Sequence, residues 1–358
     1  MHSSDVKYLE KALFSLYPKA FSESATVKPI YDSDYENAYV DGVSYGDIEI
    51  ESIKSSGKDL PFSVGGINNG TLTVNFNERL KINKTASIYM EFTVKLPSIR
   101  HRFGYGNNTI NLSGFYPIAC VYENGKFYEN VYYPSGDPFY SNTANYRVNL
   151  TVPSEYTLAS SMHVTKTVWS GGETEYQMQR NSVRDIAFIL SKNFNVSQKT
   201  VNGVDVKYYY YNDNEPSRSL EIACESLSYF SDNYVKYPYL EYAVCQGDFL
   251  YGGMEYPCLS LISDELNDEN KVYTVVHETA HQWFYGLVGV NQSEEGFFDE
   301  GLTELSTTLC LSDLKPKEYD FQEMISQTEK LYDLLKITLE AQGYKNVGKL
   351  KRNLGDFN

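Results

Sequence analysis

The chain has 358 residues, a net charge of −16, five histidines and five cysteines. That length allows two domains with real cores, and no apolar run approaches the ~20 residues that a membrane-spanning helix requires. The acidic balance and the lack of a basic stripe exclude nucleic acid as a partner. Cys120, Cys224, Cys245, Cys258 and Cys310 form no C-x-x-C pair, which disfavours both a disulfide framework and a thiolate zinc site.

In chain order, the opening SDVKYLEKALFSLY, Ser4 to Tyr17, reads as a helix. No basic region followed by a continuous apolar stretch marks a signal peptide there, and the cellular address stays open between cytoplasm and cell envelope. From there to about Asn195 the chain reads as β. Alternating runs such as TLTVNFN, ASIYMEFTVKL, NYRVNLTVP and IAFILSKNF recur between turn clusters such as GGINNG and ENGK, which suggests an antiparallel sandwich or saddle of sheets.

The period changes after Val206 to Asp213. A helix is expected over Glu215 to Tyr234, with Pro216 just inside its start. A strand EYAVCQ, a glycine turn FLYGGMEY and a second strand CLSLIS follow. Three helices come next, at about Asp268 to Gly286, Asp299 to Leu311 and Pro316 to Ala341. The boundary falls near Gln198 to Gly203, giving an N-terminal β domain over 1–200 and an α/β domain over 201–358.

The first of these three helices carries VVHETAHQWF, Val275 to Phe284. Residues i and i+4 share a helix face, so the rings of His277 and His281 can converge on one ion, while Glu278 can reach a water bound to it as general base. A catalytic site of this kind needs a third protein ligand and an open position. His2, His101 and His163 all lie in the first domain, so the third ligand is sought among downstream carboxylates. Glu294 and Glu295 sit in NQSEEG and read as solvated charge. Asp299, Glu300 and Glu304 belong to a segment that turns helical. Glu300 and Glu304 lie one turn apart, so one can bind the ion while the other accepts a ring N–H of a ligand histidine. Spacing does not decide between them.

HETAHQWF followed by FFDEGLTEL, with Glu300 nineteen residues past His281, resembles the gluzincin aminopeptidases typified by aminopeptidase N. The motifs of that family run HExxHQWFGN and WLNEGFAEY. The resemblance implies a thermolysin-like α/β metallopeptidase domain behind an N-terminal β domain, and one Zn2+ ion held by His277, His281 and Glu300. It also implies Glu278 as general base and Glu304 as the carboxylate behind a ligand histidine. GGMEY, Gly252 to Tyr256, is similar to the GAMEN strand of the family, which implies that Glu255 holds the free α-amine of a peptide while Gly252, Gly253 and Met254 line the substrate. Two glycines also let a strand edge approach another backbone closely.

The likeness runs from about Ser44 onwards, with departures. Tyr256 stands where the family has Asn, and Tyr285 replaces the first residue of the GN pair. GFYPIACVYENGKF stands in place of the PCxDEP stretch, so no second amine anchor is carried over. The oxyanion-stabilising tyrosine of the family lies about eighty residues past the second histidine. That falls at or just beyond Asn358, so the chain is expected to stop short of it; Tyr332 and Tyr344 lack its context.

The expected function is zinc-dependent removal of N-terminal amino acids from peptides. The alternatives are a gluzincin endopeptidase and a zinc-containing binding protein with little catalysis. Side-chain preference and oligomeric state are not readable.

Overall fold

The computed structural model describes residues 8–39, 41–81, 83–341 and 354. The N-terminal half is built of small antiparallel sheets. One has the strand order Phe62–Gly65, Thr71–Lys81, Tyr8–Ser15, Ile118–Ala119, and another the order Thr157–Ser160, Ala187–Ser191, Thr109–Ser113, Phe103–Tyr105. Two three-stranded sheets, one centred on Asp47–Ser55 and the other on Glu173–Val183, and the two-stranded pair Tyr122–Glu123 with Lys126–Phe127 complete it.

The expected N-terminal helix is instead the strand Tyr8–Ser15. Leu9, Leu13 and Leu16 fall at helical spacing, yet Tyr8–Ser15 pairs with Thr71–Lys81 through a register shift between Leu9 and Lys11. That irregularity resets the period-2 alternation and hides it from a pattern reading.

The second half is organised around a five-stranded sheet in the order Asn195–Val201, Val204–Tyr210, Glu241–Gly247, Leu259–Ser263, Gly253–Tyr256. The three inner strands run parallel and both edges are antiparallel. The first of these strands runs across the boundary suggested by the sequence. Glu241–Gly247 is buried along both faces. Tyr242 and Val244 pack with Leu227, Phe230, Val275 and Trp283 on the helical side, whereas Ala243 and Cys245 pack with Tyr17, Phe103 and Ile189 of the β domain. One sheet therefore serves two cores, and its strands Glu241–Gly247 and Leu259–Ser263 are buried on both faces where a half-exposed strand would alternate.

Helix bounds differ from the periodicity. The histidine helix is Asp268–Ala280, capped by Asn267, whose side chain accepts from the Asn270 N–H. It stops six residues short of Gly286, because tight bonds from Gln282 N to Thr279 O and from Trp283 N to Ala280 O wind up the last turn. His281 still has helical angles (φ −61°, ψ −17°), so the i, i+4 relation to His277 holds. Glu294 and Glu295, expected in a loop, lie in the short helix Gln292–Gly296. A π-helical turn, Phe297–Gly301, carries Asp299 and Glu300 into the helix Leu302–Leu314, which holds Glu304. The final helix is Phe321–Ala341, with no buried residue along it. Tyr332 lies on it, half-exposed, while Tyr344 falls outside the described residues. All five cysteines are free and buried.

Candidate metal centre

A cavity of about 460 Å³ opens where the two domains meet. His277 and His281 enter it from the histidine helix, Glu300 from the π-helical turn, and Glu255 from the edge strand Gly253–Tyr256. π-Helical turns are rare and often sit at functional sites, because the extra residue re-aims the side chains around it.

The Nε2 atoms of His277 and His281 face each other at 3.1 Å, and Glu300 Oε2 lies 3.3 Å from the first and 3.6 Å from the second. All three donors fall within 4.8 Å of one another. His281 Nδ1 is surrounded by Phe284 O at 3.0 Å, Asp299 Oδ1 at 3.1 Å and Thr303 Oγ1 at 3.1 Å. These acceptors place the ring proton on Nδ1 and leave Nε2 as a lone pair aimed into the cluster. His277 Nδ1 lies 3.4 Å from Glu304 Oε2, and Tyr273 Oη donates to the other oxygen of Glu304.

Two imidazole nitrogens and one carboxylate oxygen converging on a point are the donor set of a catalytic zinc site. The electrostatics agree. Burial lowers His277, but hydrogen bonds to Glu300 and Glu304 outweigh it and push the ring up to about 9. Burial would raise Glu300, yet His281 and His277 hold it below the usual carboxylate range. A dication takes the lone pairs for which these rings otherwise draw protons, so the residues present fit a bound metal.

Glu278 is 4 % exposed, and its Oε2 has no hydrogen-bond partner. Burial pushes its carboxyl up to about 7, against the pull of His277 and His281. Gly253 lies directly against it: a Cβ at position 253 would collide with Glu278 Oε1, so a side chain there would require the carboxylate to shift.

Glu255, 3 % exposed, accepts from Gln292 Nε2 at 2.9 Å, and the same nitrogen donates to Asp299 Oδ2 at 2.6 Å. Gly252 and Gly253 line the cavity with Glu255, but Met254 does not. Its side chain, 1 % exposed, is packed among Phe249, Leu259 and Leu261, so at that position only the backbone is left to face a ligand.

Pattern reading missed several of the residues gathered here. Asp137 lies in the loop Pro134 to Asp137 of the β domain, within ligand distance of Glu255 and Asp299, and is ion-paired to Arg102 Nη1 at 2.5 Å. No residue of GFYPIACVYENGKF, the stretch set against PCxDEP, lines the cavity. Asp299 was one of three candidate carboxylates without an assigned role, and its position next to Glu300 in FFDEGL was the available signal. Asp137 and Arg102 carried none, since only the fold brings them to the site.

A sheet with antiparallel edges, a histidine helix beneath it and a carboxylate turn alongside, all behind an antiparallel β domain, make a thermolysin-like metallopeptidase fold with an N-terminal β domain. Residues 218–349 match the model for the peptidase family M1 domain. Over that stretch the chain is similar to the peptidase M1 family. Aminopeptidase M1-B of Oryza sativa subsp. japonica is 29 % identical over 203 residues, which cover 52 % of this chain and 23 % of that protein. Endoplasmic reticulum aminopeptidase 1 of Rattus norvegicus is 30 % identical over 163 residues, covering 40 % of this chain and 18 % of that protein. The chain thus spans about a fifth of the length of these relatives. A crystal structure of a mutant M1 zinc metallopeptidase from Deinococcus radiodurans, bound to a Tyr-Ser-Ala substrate, superposes with a TM-score of 0.63 at 15 % identity. The match covers 99 % of this chain and 72 % of that one.

Proposed function

We propose that this chain forms a zinc aminopeptidase centre, in which His277, His281 and Glu300 hold one Zn2+ ion and peptides with a free N-terminus are the substrates. The observation that carries the reading is the convergence of two imidazole nitrogens and a carboxylate within 4.8 Å, with Glu278 and Glu255 opening into the same cavity. When bound, zinc supplies Lewis acidity toward a scissile carbonyl and makes water more acidic.

The protein's own residues do the rest. Glu278, with one oxygen free and its carboxyl raised to about 7, is suited to take a proton from the attacking water and return it to the leaving amine. Asp299 accepts from His281 Nδ1 and fixes the orientation of that ring, and the Glu304 carboxylate stands 3.4 Å from His277 Nδ1. Burial raises Glu255 well above the usual carboxylate range and Asp137 adds to it, so its charge is costly until a cation arrives. A substrate ammonium is such a cation, and a blocked N-terminus leaves the carboxylate unpaired. The backbone of Gly252 and Gly253 lies alongside the bound peptide in this reading.

Glu278→Ala is expected to retain stoichiometric zinc and to lose 10²- to 10⁴-fold in hydrolysis of aminoacyl arylamides. Wild-type rates in that variant would rule the mechanism out. An endopeptidase would instead cleave N-acetylated peptides as well as free ones.

A further inference from the structure

The loop that leaves the histidine helix holds a strained residue. Tyr285 has φ +102°, a conformation that glycine adopts freely and a bulky residue enters only when its surroundings impose it. Its side chain is 2 % exposed, and it is held by backbone bonds within the loop and by groups of the β domain. Tyr285 Oη donates to Asp185 Oδ2 at 3.0 Å, and its carbonyl accepts from Arg184 Nε at 2.9 Å. Arg184 is fixed in turn: Nη1 donates to Ser141 O at 3.1 Å, and its carbonyl accepts from Ser141 Oγ at 2.8 Å. The guanidinium crosses so close to Gly289 that a Cβ there would overlap it.

The strain reaches the metal centre through a single peptide plane. The Phe284 carbonyl, which accepts from His281 Nδ1 at 3.0 Å, belongs to the same rigid unit as the Tyr285 N–H, which donates to Val288 O at 3.0 Å. If Tyr285 relaxed to a negative φ with the loop otherwise in place, this unit would rotate and draw the carbonyl off the histidine. His281 would then lose one of the acceptors that fix its tautomer.

We propose that Tyr285 is a positioning residue of the metal centre, and that Arg184 and Asp185 of the β domain, by holding its strained backbone, set how firmly His281 binds the metal. The inference rests on the zinc reading above. A ligand histidine is thereby tied to the other domain through a tyrosine that stands where the HExxHQWFGN motif has its glycine.

The test measures zinc affinity by competition with a chromophoric chelator, alongside the visible absorption of the cobalt-substituted protein and the melting temperature of the metal-free protein. Tyr285→Phe keeps the ring and removes only the hydroxyl bond. It is expected to weaken zinc binding about 10-fold, within the range for lost outer hydrogen bonds, and to shift the cobalt bands. Asp185→Ala should match it, the double variant should be no weaker than either single one, and Asp185→Asn, whose amide oxygen still accepts from Tyr285, should restore wild-type affinity. A purely structural role would lower the melting temperature of Tyr285→Phe while leaving zinc affinity and cobalt bands unchanged, and that result overturns the proposal. If Tyr285→Phe does not fold, the contrast between Asp185→Ala and Asp185→Asn decides on the same readouts. Failure of the wild-type protein to take up zinc would instead overturn the proposed function itself.

Discussion

Three groups of three side chains bring their ligand atoms within 4.8 Å among the described residues, and two of them share no member: His277, His281 and Glu300 on one side, Asp137, Glu255 and Asp299 on the other, with Glu255, Glu278 and His281 bridging them. Proximity does not tell them apart, but their chemistry does. The first offers two nitrogen lone pairs and one carboxylate, which suits a borderline-soft dication. The second is all carboxylate and is kept together by donors: Arg102 on Asp137, and Gln292 Nε2 between Glu255 and Asp299. Burial pushes the carboxyl of Glu255 upward, whereas the Glu300 side chain is half exposed, and neighbouring charge decides the outcome. Imidazoles bring Glu300 down, whereas Asp137 drives Glu255 further up. In the proposed reading the first group takes the metal and the second the organic cation.

The largest effects should separate the two groups. His281→Ala removes a ligand from the first group only. Zinc content after dialysis is expected to fall from stoichiometric to near zero, with loss of any hydrolysis that depends on it; retained zinc would dissolve the distinction between the groups. Glu255→Gln acts on the second. It should leave zinc content intact and lower kcat/KM for free peptides by about 10- to 100-fold, as expected for a lost charge-assisted bond. Rates on N-acetylated peptides should hardly change, so the ratio of the two substrates is the sensitive measure. Equal loss on both would remove Glu255 from its assigned role.

The first group was far more legible in the sequence than the second. His277, Glu278 and His281 are set by local helical spacing, and Glu300 and Glu304 by a short motif nearby, so five residues could be named before any fold existed. Asp137 and Arg102 reach Glu255 from over a hundred residues away, through the packing of the β domain on a sheet with two buried faces. No periodicity records such an encounter. The same limit explains the N-terminal strand Tyr8–Ser15, where a register shift erased the alternation, and Tyr285, where the backbone angle follows from contacts with Arg184 and Asp185. Met254 shows the reverse error: a motif residue can be right about its strand while its side chain turns into the core.

Asp185 supplies a control for the comparison, because it is buried with one hydrogen bond and outside both groups. Its Oδ2 accepts from Tyr285 and its Oδ1 has no partner among the described residues. Burial pushes its carboxyl from the usual 3.8 up to about 6, although the Tyr285 bond and Arg184 both oppose the rise. An acid whose pKa is raised by folding binds its proton more tightly in the native state. Its penalty is therefore absent below the unfolded value and grows as pH climbs through the folded one. Between about pH 4 and 6 the loss should reach roughly 3 kcal/mol at most, and it stays at that level above pH 6. Asp185→Asn keeps an acceptor for Tyr285 without the charge. Its melting temperature should exceed that of the wild type by several degrees at pH 7.5, and the gap should close toward pH 4. A gap that is the same at both pH values would mean that the ionised carboxylate is as well solvated in the fold as in water. Burial would then not be what lifts this group, and the weight given to burial in the Glu255 pocket would fall with it.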